Sequence, residues 1–188
     1  MISLPRAFAA VVPPPGVLDA MEVRVASVRA VGAGDRFRWS SRDRWHCTLQ
    51  FLGAVADVDS LVGVLERQLR HVEPFTVQLG GAGAFPSVAR ATVLWVGATT
   101  AQREVARLAA AVEAATAPLG FAADDRPFRP HVTLARTPTP RDLGDVVTAL
   151  GSGTIGPAWT VCEVVLLESD TLPTGAVYRE VATVRLGA

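Results

Sequence analysis

Apolar residues follow two alternating patterns along the chain. Short apolar runs, bounded by proline, glycine or polar residues, predict strands over residues 6–12, 46–52, 75–79, 91–96, 131–135, 159–168 and 176–186. Apolar residues three or four positions apart predict helices over residues 17–31, ending at Gly32, and over 57–71, 102–119 and 141–150. Residues 32–45 form a loop rich in glycine and arginine, and the sequence Gly80-Gly81-Ala82-Gly83 indicates a turn.

The order of these elements indicates the fold class. Each half of the chain contains strands, helices and one strand that begins with the phrase His-x-Thr-Leu. We therefore predict an α+β fold in which two α/β lobes, with antiparallel or mixed sheets, flank a central cleft. The 188 residues fit a single domain over residues 1–188, with the two lobes intertwined.

Composition excludes several classes of protein. The formal net charge is zero, so any phosphate binding has to come from a local cluster of positive charge. Every cationic residue is arginine, and the absence of lysine excludes a lysine nucleophile or Schiff base. Cys47 and Cys162 lack the spacing of a zinc site or a disulfide scaffold. No apolar run approaches the length of a membrane span or a signal-peptide core, so we predict a cytoplasmic protein. The lack of an obvious exposed apolar helix favours a monomer.

Two of the three histidines belong to a repeated four-residue phrase. In an extended strand, residues two apart emerge on the same side, so each histidine shares a face with its threonine. Two such strands side by side would direct two imidazoles and two hydroxyls into one cleft. The two copies are His46-Cys47-Thr48-Leu49 and His131-Val132-Thr133-Leu134.

This set of groups suits the cleavage of a phosphate ester. One imidazole can take the proton from the attacking group while the other protonates the leaving oxygen, because histidine titrates near neutrality. The threonine hydroxyls can donate to the phosphoryl oxygens. The scheme needs no metal and no other cofactor, and the nearby acidic residues match no metal-binding motif.

Arginines and aromatic residues near the two phrases are candidate substrate contacts. Arg136 follows His131 by five positions, and strict alternation would point it away from the histidine face. Arg129 and Arg44 precede the two histidines, and for these two an ordinary surface role remains open. The aromatic candidates for base stacking, for which core packing remains open, are Phe51 and Phe128.

The residues around both phrases resemble the two-histidine (2H) phosphoesterases. Within them the chain is most similar to the bacterial and archaeal RNA 2′,3′-cyclic phosphodiesterases, historically called 2′-5′ RNA ligases, over residues 6–186. The segments that carry the resemblance are Trp45-His46-Cys47-Thr48-Leu49-Gln50-Phe51-Leu52-Gly53 and Arg126-Pro127-Phe128-Arg129-Pro130-His131-Val132-Thr133-Leu134-Ala135-Arg136.

The resemblance implies a bilobal fold and hydrolysis of an RNA 2′,3′-cyclic phosphate to a 2′-phosphate without a metal. It makes His46 and His131 the acid–base pair, and Thr48 and Thr133 phosphate donors. We assign His131 as the base and His46 as the acid, and ligation or the reverse reaction would exchange these roles. Arg136 matches an arginine that contacts phosphate, and Phe51 matches an aromatic residue near the base. The expected substrates are RNA 3′ ends or small nucleoside cyclic phosphates.

Three alternatives remain open at the level of sequence. The histidines and threonines could be unrelated residues of buried strands. The same phosphoryl chemistry in reverse could join RNA through a 2′-5′ linkage. The chain could also be a module that binds nucleotides or RNA ends without turnover.

Overall fold

The computed structural model describes residues 3–30, 37–172 and 175–188. These residues form nine β-strands and four α-helices. The strands are β1 (Leu4–Val11), β2 (Arg38–Trp39), β3 (Cys47–Val55), β4 (Phe75–Phe85), β5 (Ala91–Ala98), β6 (His131–Arg141), β7 (Thr154–Val161), β8 (Glu163–Leu172) and β9 (Gly175–Arg185). The helices are α1 (Pro15–Val28), α2 (Val58–Leu69), α3 (Gln102–Thr116) and α4 (Gly144–Leu150).

The strands form one sheet in the order β7-β4-β5-β6-β3-β1-β8-β9, and β2 adds beside β6. Every described strand pair is antiparallel, and the predicted α+β class is confirmed. β3 and β6, which carry the two His-x-Thr phrases, are neighbours in the middle of the sheet. The topology therefore places the two copies of the phrase side by side.

One face of the sheet is covered by the helices. Helix α2 begins after Asp57, whose carboxylate accepts the backbone N–H groups of the first turn, and it buries leucines at positions 61, 65 and 69. Alternate residues of β1, such as Ala9 and Val11, join this core, whereas Phe8 and Ala10 belong to a separate small cluster. Phe8 and Ala10 therefore lie on the second face of the sheet, away from the helices.

Several predicted segments differ from the structure. The predicted strand over residues 159–168 is two strands that meet at Cys162, since β7 pairs with β4 and β8 pairs with β1 at the other end of the sheet. Only Glu163 interrupts the apolar residues at this point, so the pattern gave little sign that the chain passes from one part of the sheet to another. The predicted loop over residues 32–45 contains β2 and a 3-10 turn at Arg42–Arg44. The predicted helix end at Gly32 lies outside the described residues.

The predicted turn at residues 80–83 is wrong, because β4 continues through it. The small residues are needed for close packing within the sheet. A Cβ atom on Gly83 would lie only 2.2 Å from the indole ring of Trp95, and one on Gly80 would lie 2.6 Å from the backbone oxygen of Gly153. Gly83 therefore leaves room for the indole ring of Trp95, and Gly80 leaves room for the backbone at Gly153.

The Gly83→Ala variant is expected to unfold more easily than the wild type, by about 1–3 kcal/mol, because the methyl group overlaps the Trp95 ring. The matched control is Gly63→Ala in α2, where the new Cβ lies 3.5 Å from the Arg67 guanidinium and alanine favours the helix. Urea denaturation of both variants measures the difference. A Gly83→Ala variant as stable as Gly63→Ala would contradict the predicted overlap.

Candidate active site

Four polar side chains of the repeated phrase meet where β3 and β6 pair. Cys47 is the register partner of Val132, and both are buried in the core. One residue to either side, the same register sets His46 opposite Thr133 and Thr48 opposite His131. All four side chains lie on the face opposite Cys47 and Val132, as the alternation predicts. Burial raises the pKa of the Cys47 thiol to about 11, so this thiol stays protonated.

A β-bulge follows Thr133 in β6. Trp95 and Leu94 are consecutive in β5, yet they pair with Thr133 and Ala135, so Leu134 is an extra residue in β6. Leu134 and Ala135 are both buried. Strict alternation of faces is therefore interrupted at this point, and it resumes displaced by one residue.

Because of this bulge, Arg136 lies on the same face as His131. Arg136 pairs with Val93, and Val93 shares the face of Trp95, two residues further along β5. Alternation alone had pointed Arg136 away from the cleft. The Arg136 side chain is exposed, and its charge contributes to lowering the pKa of His131.

An equivalent bulge follows Thr48 in β3. Leu49 is the extra residue, because Thr48 and Gln50 pair with consecutive residues of β1. Phe51 consequently pairs with Phe8 on the cleft face, with 6.0 Å between ring centroids. Its side chain is 68% exposed, which makes its ring available for stacking. Phe51 and Arg136 thus occupy equivalent positions after the two phrases.

Two aromatic rings flank His46. The ring of Phe8 lies 4.7 Å from the imidazole, centroid to centroid, and the ring of Tyr178 meets it edge-on at 5.1 Å. Phe8 and Tyr178 also contact each other edge-on, with 5.1 Å between their centroids. The three rings therefore form one cluster, to which β1 and β9 contribute from opposite ends of the chain.

Two aromatic rings also flank His131. Phe85 meets the imidazole edge-on at 4.9 Å, and the Trp95 indole lies at 6.2 Å between centroids. The guanidinium of Arg129 lies over this indole, 5.5 Å from its centroid. Sequence reasoning missed the rings beside both histidines, since they come from strands without a motif of their own.

A backbone carbonyl orients each imidazole. The oxygen of Arg129 lies 2.8 Å from Nδ1 of His131 and accepts a hydrogen bond from it. Because a carbonyl only accepts, Nδ1 carries the proton in the neutral ring, and Nε2 is left as the acceptor. His46 has the corresponding hydrogen bond with the backbone of Arg44, again two residues before the histidine.

The surroundings lower the pKa of both imidazoles. Burial lowers the pKa of His46 from 6.5 to about 4, the charge of His131 adds to this effect, and the hydrogen bond to the Arg44 backbone opposes it. Burial also lowers the pKa of His131, and Arg136 and Arg129 add to the lowering. Both rings are therefore mainly neutral in the free site near pH 7.

The remaining predicted contacts occupy different places. The Arg44 side chain is half-buried, and its guanidinium lies against Gly175 at the start of β9. Arg129 is exposed on the ring of Trp95. Phe128 is half-buried and packs against the main core. Of the two roles left open for this residue, base stacking and core packing, the structure therefore shows core packing.

Within the described ranges, no three histidine, cysteine, aspartate or glutamate side chains are close enough together to hold a metal ion. His46 and His131 thus have no third ligand in that part of the chain. None of the helices that the structure describes is long and apolar enough to cross a membrane.

Comparison with known proteins gives consistent matches over most of the chain. The family model of the 2′-5′ RNA ligase superfamily matches residues 17–172. An RNA 2′,3′-cyclic phosphodiesterase of Aeropyrum pernix is 33% identical over 147 residues, which cover 76% of this chain and 82% of that protein. A protein of the same name from Methanothermobacter thermautotrophicus is 28% identical over 186 residues, covering 96% of this chain and 98% of the relative.

Solved structures share the fold. A crystal structure from Thermus thermophilus superposes with a TM-score of 0.74 at 29% identity and covers 97% of this chain and 98% of its own. The crystal structure of Escherichia coli LigT complexed with 3′-AMP has a TM-score of 0.73 at 22% identity, with the same coverage of both chains. The bilobal fold expected from the sequence is the fold of these structures.

Proposed function

Because the chain belongs to the 2′-5′ RNA ligase superfamily, we propose that it is a hydrolase that opens RNA or nucleoside 2′,3′-cyclic phosphates to 2′-phosphates. The observation that carries this proposal is the cross-strand square of two histidines and two threonines on one face of the sheet. Relatives that match most of the chain carry the name of this activity.

The proposed reaction is an in-line displacement at phosphorus. Water forms the new bond to phosphorus as the bond to O3′ breaks. His131 takes the proton from water, and His46 gives its proton to O3′, so that the products are a 2′-phosphate and a 3′-hydroxyl. Thr48 and Thr133 donate hydrogen bonds to the phosphoryl oxygens, and Arg136 supplies positive charge beside them. The two imidazoles account for both proton transfers, so the scheme assigns no step to a metal.

The histidine pair needs one proton in this reaction, although burial favours the neutral form of both rings. A bound phosphate anion raises the pKa of each imidazole, because an opposite charge nearby favours the protonated form. The substrate therefore promotes the protonation state in which the pair reacts.

The pH dependence follows from these pKa values. A base works only when it is neutral, so kcat/KM rises with pH through its pKa, and an acid works only when it is protonated, so kcat/KM falls through its pKa. Both pKa values in the free site lie below the ordinary 6.5, that of His46 at about 4, so kcat/KM is expected to peak below pH 6.5. The maximum of kcat, which reports the enzyme–substrate complex, is expected at higher pH because the bound phosphate raises both pKa values. A kcat/KM that rises steadily from pH 5 to 9 would contradict this picture.

The direct test is incubation with adenosine 2′,3′-cyclic phosphate in excess chelator. We expect release of adenosine 2′-phosphate, identified by phosphorus NMR, at the rate seen without chelator. Turnover that chelator abolishes would overturn the metal-free scheme. Tight binding without product after long incubation would overturn hydrolysis and identify a binding module.

A second candidate reaction is the joining of RNA, which the superfamily description favours. The 5′-hydroxyl of a second RNA would attack the cyclic phosphate in place of water, leaving a 2′-5′ linkage. The chain has no lysine, so joining cannot pass through a lysyl-adenylate. Incubation of two RNA pieces without ATP, one of which ends in a cyclic phosphate, is expected to show joined product if this reaction occurs.

Both histidines and both threonines come from one chain, so the proposed site needs no second copy. We accordingly propose a monomer that acts on RNA 3′ ends in the cytoplasm. Light scattering at assay concentration tests the monomer, and a stable dimer would contradict it.

A further inference from the structure

A second arginine lies directly beside Arg136. Strand β2 pairs with β6 in a register that sets Arg38 opposite Arg136 and Trp39 opposite Ala135. Directly opposed residues of antiparallel strands share a face, with Cβ atoms about 4.5–5.5 Å apart. Because the bulge in β6 sets Arg136 on the cleft face, Arg38 lies on that face as well. Trp39 points to the other side, where it packs against the main core.

Two like charges in directly opposed positions repel each other. Among the residues that the structure describes, no carboxylate lies within 4.0 Å of either guanidinium, and neither guanidinium donates a hydrogen bond. Both side chains are exposed. By contrast, Arg42, a few residues further along, forms ion pairs with Asp19 and Glu22. The backbone pairing therefore holds two arginines side by side at a place where an anion between their side chains would relieve their repulsion.

The position of this pair indicates which anion it would bind. Arg136 is five residues beyond His131 along β6, and Arg38 is a further strand spacing, about 4.8 Å, to the side. β3 and β6 share a single described residue pair, and β2 occupies the place beside β6 farther along the strand. The arginine pair is thus at the rim of the cleft, farther along β6 than the two histidines.

We propose that Arg38, together with Arg136, binds the phosphate on the 5′ oxygen of the terminal nucleotide, so that the site selects the end of a phosphorylated chain over a nucleoside cyclic phosphate. This inference rests on the proposed hydrolysis of 2′,3′-cyclic phosphates. Guanidinium groups suit the task because their planar forks bind phosphate oxygens in pairs.

The test compares two substrates that differ only in this phosphate, adenosine 2′,3′-cyclic phosphate and its 5′-phosphorylated form. We expect the wild type to show a higher kcat/KM for the phosphorylated substrate, and Arg38→Gln to lower that preference roughly five- to tenfold. Arg38→Lys should retain part of it, because it keeps the charge and loses the fork. Arg67→Gln, an exposed arginine on α2, is the matched control and should keep the wild-type preference.

A wild type without preference for the 5′-phosphate, or an Arg38→Gln variant with an unchanged preference, would overturn the proposal. Because Arg38 is exposed, circular dichroism and thermal melting should show Arg38→Gln folded like the wild type. If the wild type hydrolyses neither substrate, the proposed hydrolysis is contradicted, and the arginine pair is then tested by ligand binding. Adenosine 3′,5′-bisphosphate should then bind the wild type more tightly than adenosine 3′-phosphate does. Equal affinities would overturn the role of Arg38 independently.

Discussion

Replacing either His46 or His131 with alanine is expected to lower kcat for a 2′,3′-cyclic phosphate by about three orders of magnitude or more. General acid–base catalysis by one side chain commonly contributes about 10²–10⁴-fold. Each imidazole also packs against two aromatic rings, which would not position a water molecule in its place. Single-turnover assays at the pH optimum measure the loss.

The chain supplies its own control for these variants. His71 is exposed at the end of α2 and lies outside the cleft, so His71→Ala should retain wild-type kcat. Loss of activity in His71→Ala, or near-normal turnover in either of the cleft variants, would contradict the assignment. The double variant should be little slower than either single variant, because residues that act as a unit are not additive.

The two single variants also reveal which ring is the acid. Burial lowers the pKa of both rings in the free site, so burial alone does not decide which ring carries the proton, whereas the proposed mechanism assigns the acid role to His46. A substrate with sulfur in place of O3′ separates the two, because a thiolate leaves without needing a proton. If His46 is the acid, this substrate restores most of the activity of His46→Ala and none of that of His131→Ala. The reverse pattern would exchange the roles.

The second large effect is expected at Arg136. Arg136→Gln should lower kcat/KM by roughly 10–100-fold, because charge-assisted contacts with a phosphate stabilise the complex by about 1.5–3 kcal/mol. Arg136→Lys should recover part of the loss. Arg107→Gln, on the exposed side of α3, is the control for removing one positive charge. An Arg136→Gln variant with wild-type kcat/KM would show that the bulge in β6 brings this side chain to the cleft without a role in turnover.

Part of this architecture could be predicted from the sequence, because it follows from strict periodicity. The shared face of His46 and Thr48 needs only the alternation of a strand. The bulges could not be predicted, since Leu49 and Leu134 look like ordinary strand residues, and only the partner strand shows that they are extra. For the same reason, the orientation of Arg136 required the register of β5.

The rings beside the histidines required tertiary structure as well. Phe8 and Tyr178 come from strands far apart in sequence that meet at the cleft because β1 and β9 both flank β8 in the sheet. Trp95 reaches His131 only because Gly83 leaves room for the indole. The glycines looked like a turn because the same residue type serves tight turns and close packing alike.

The matched bulges give the cleft a direction. The two halves of the site mirror each other in their histidines, threonines and flanking rings, so on those groups alone a phosphodiester could enter in either of two opposed orientations. The residues that the two bulges place on the cleft face remove this equivalence, because Phe51 is apolar and Arg136 is charged. A nucleotide that places its base on one and its phosphates on the other fits one way round only. On the proposed function, the cleft would therefore distinguish one end of its ligand from the other, and the two histidines would meet chemically different oxygens.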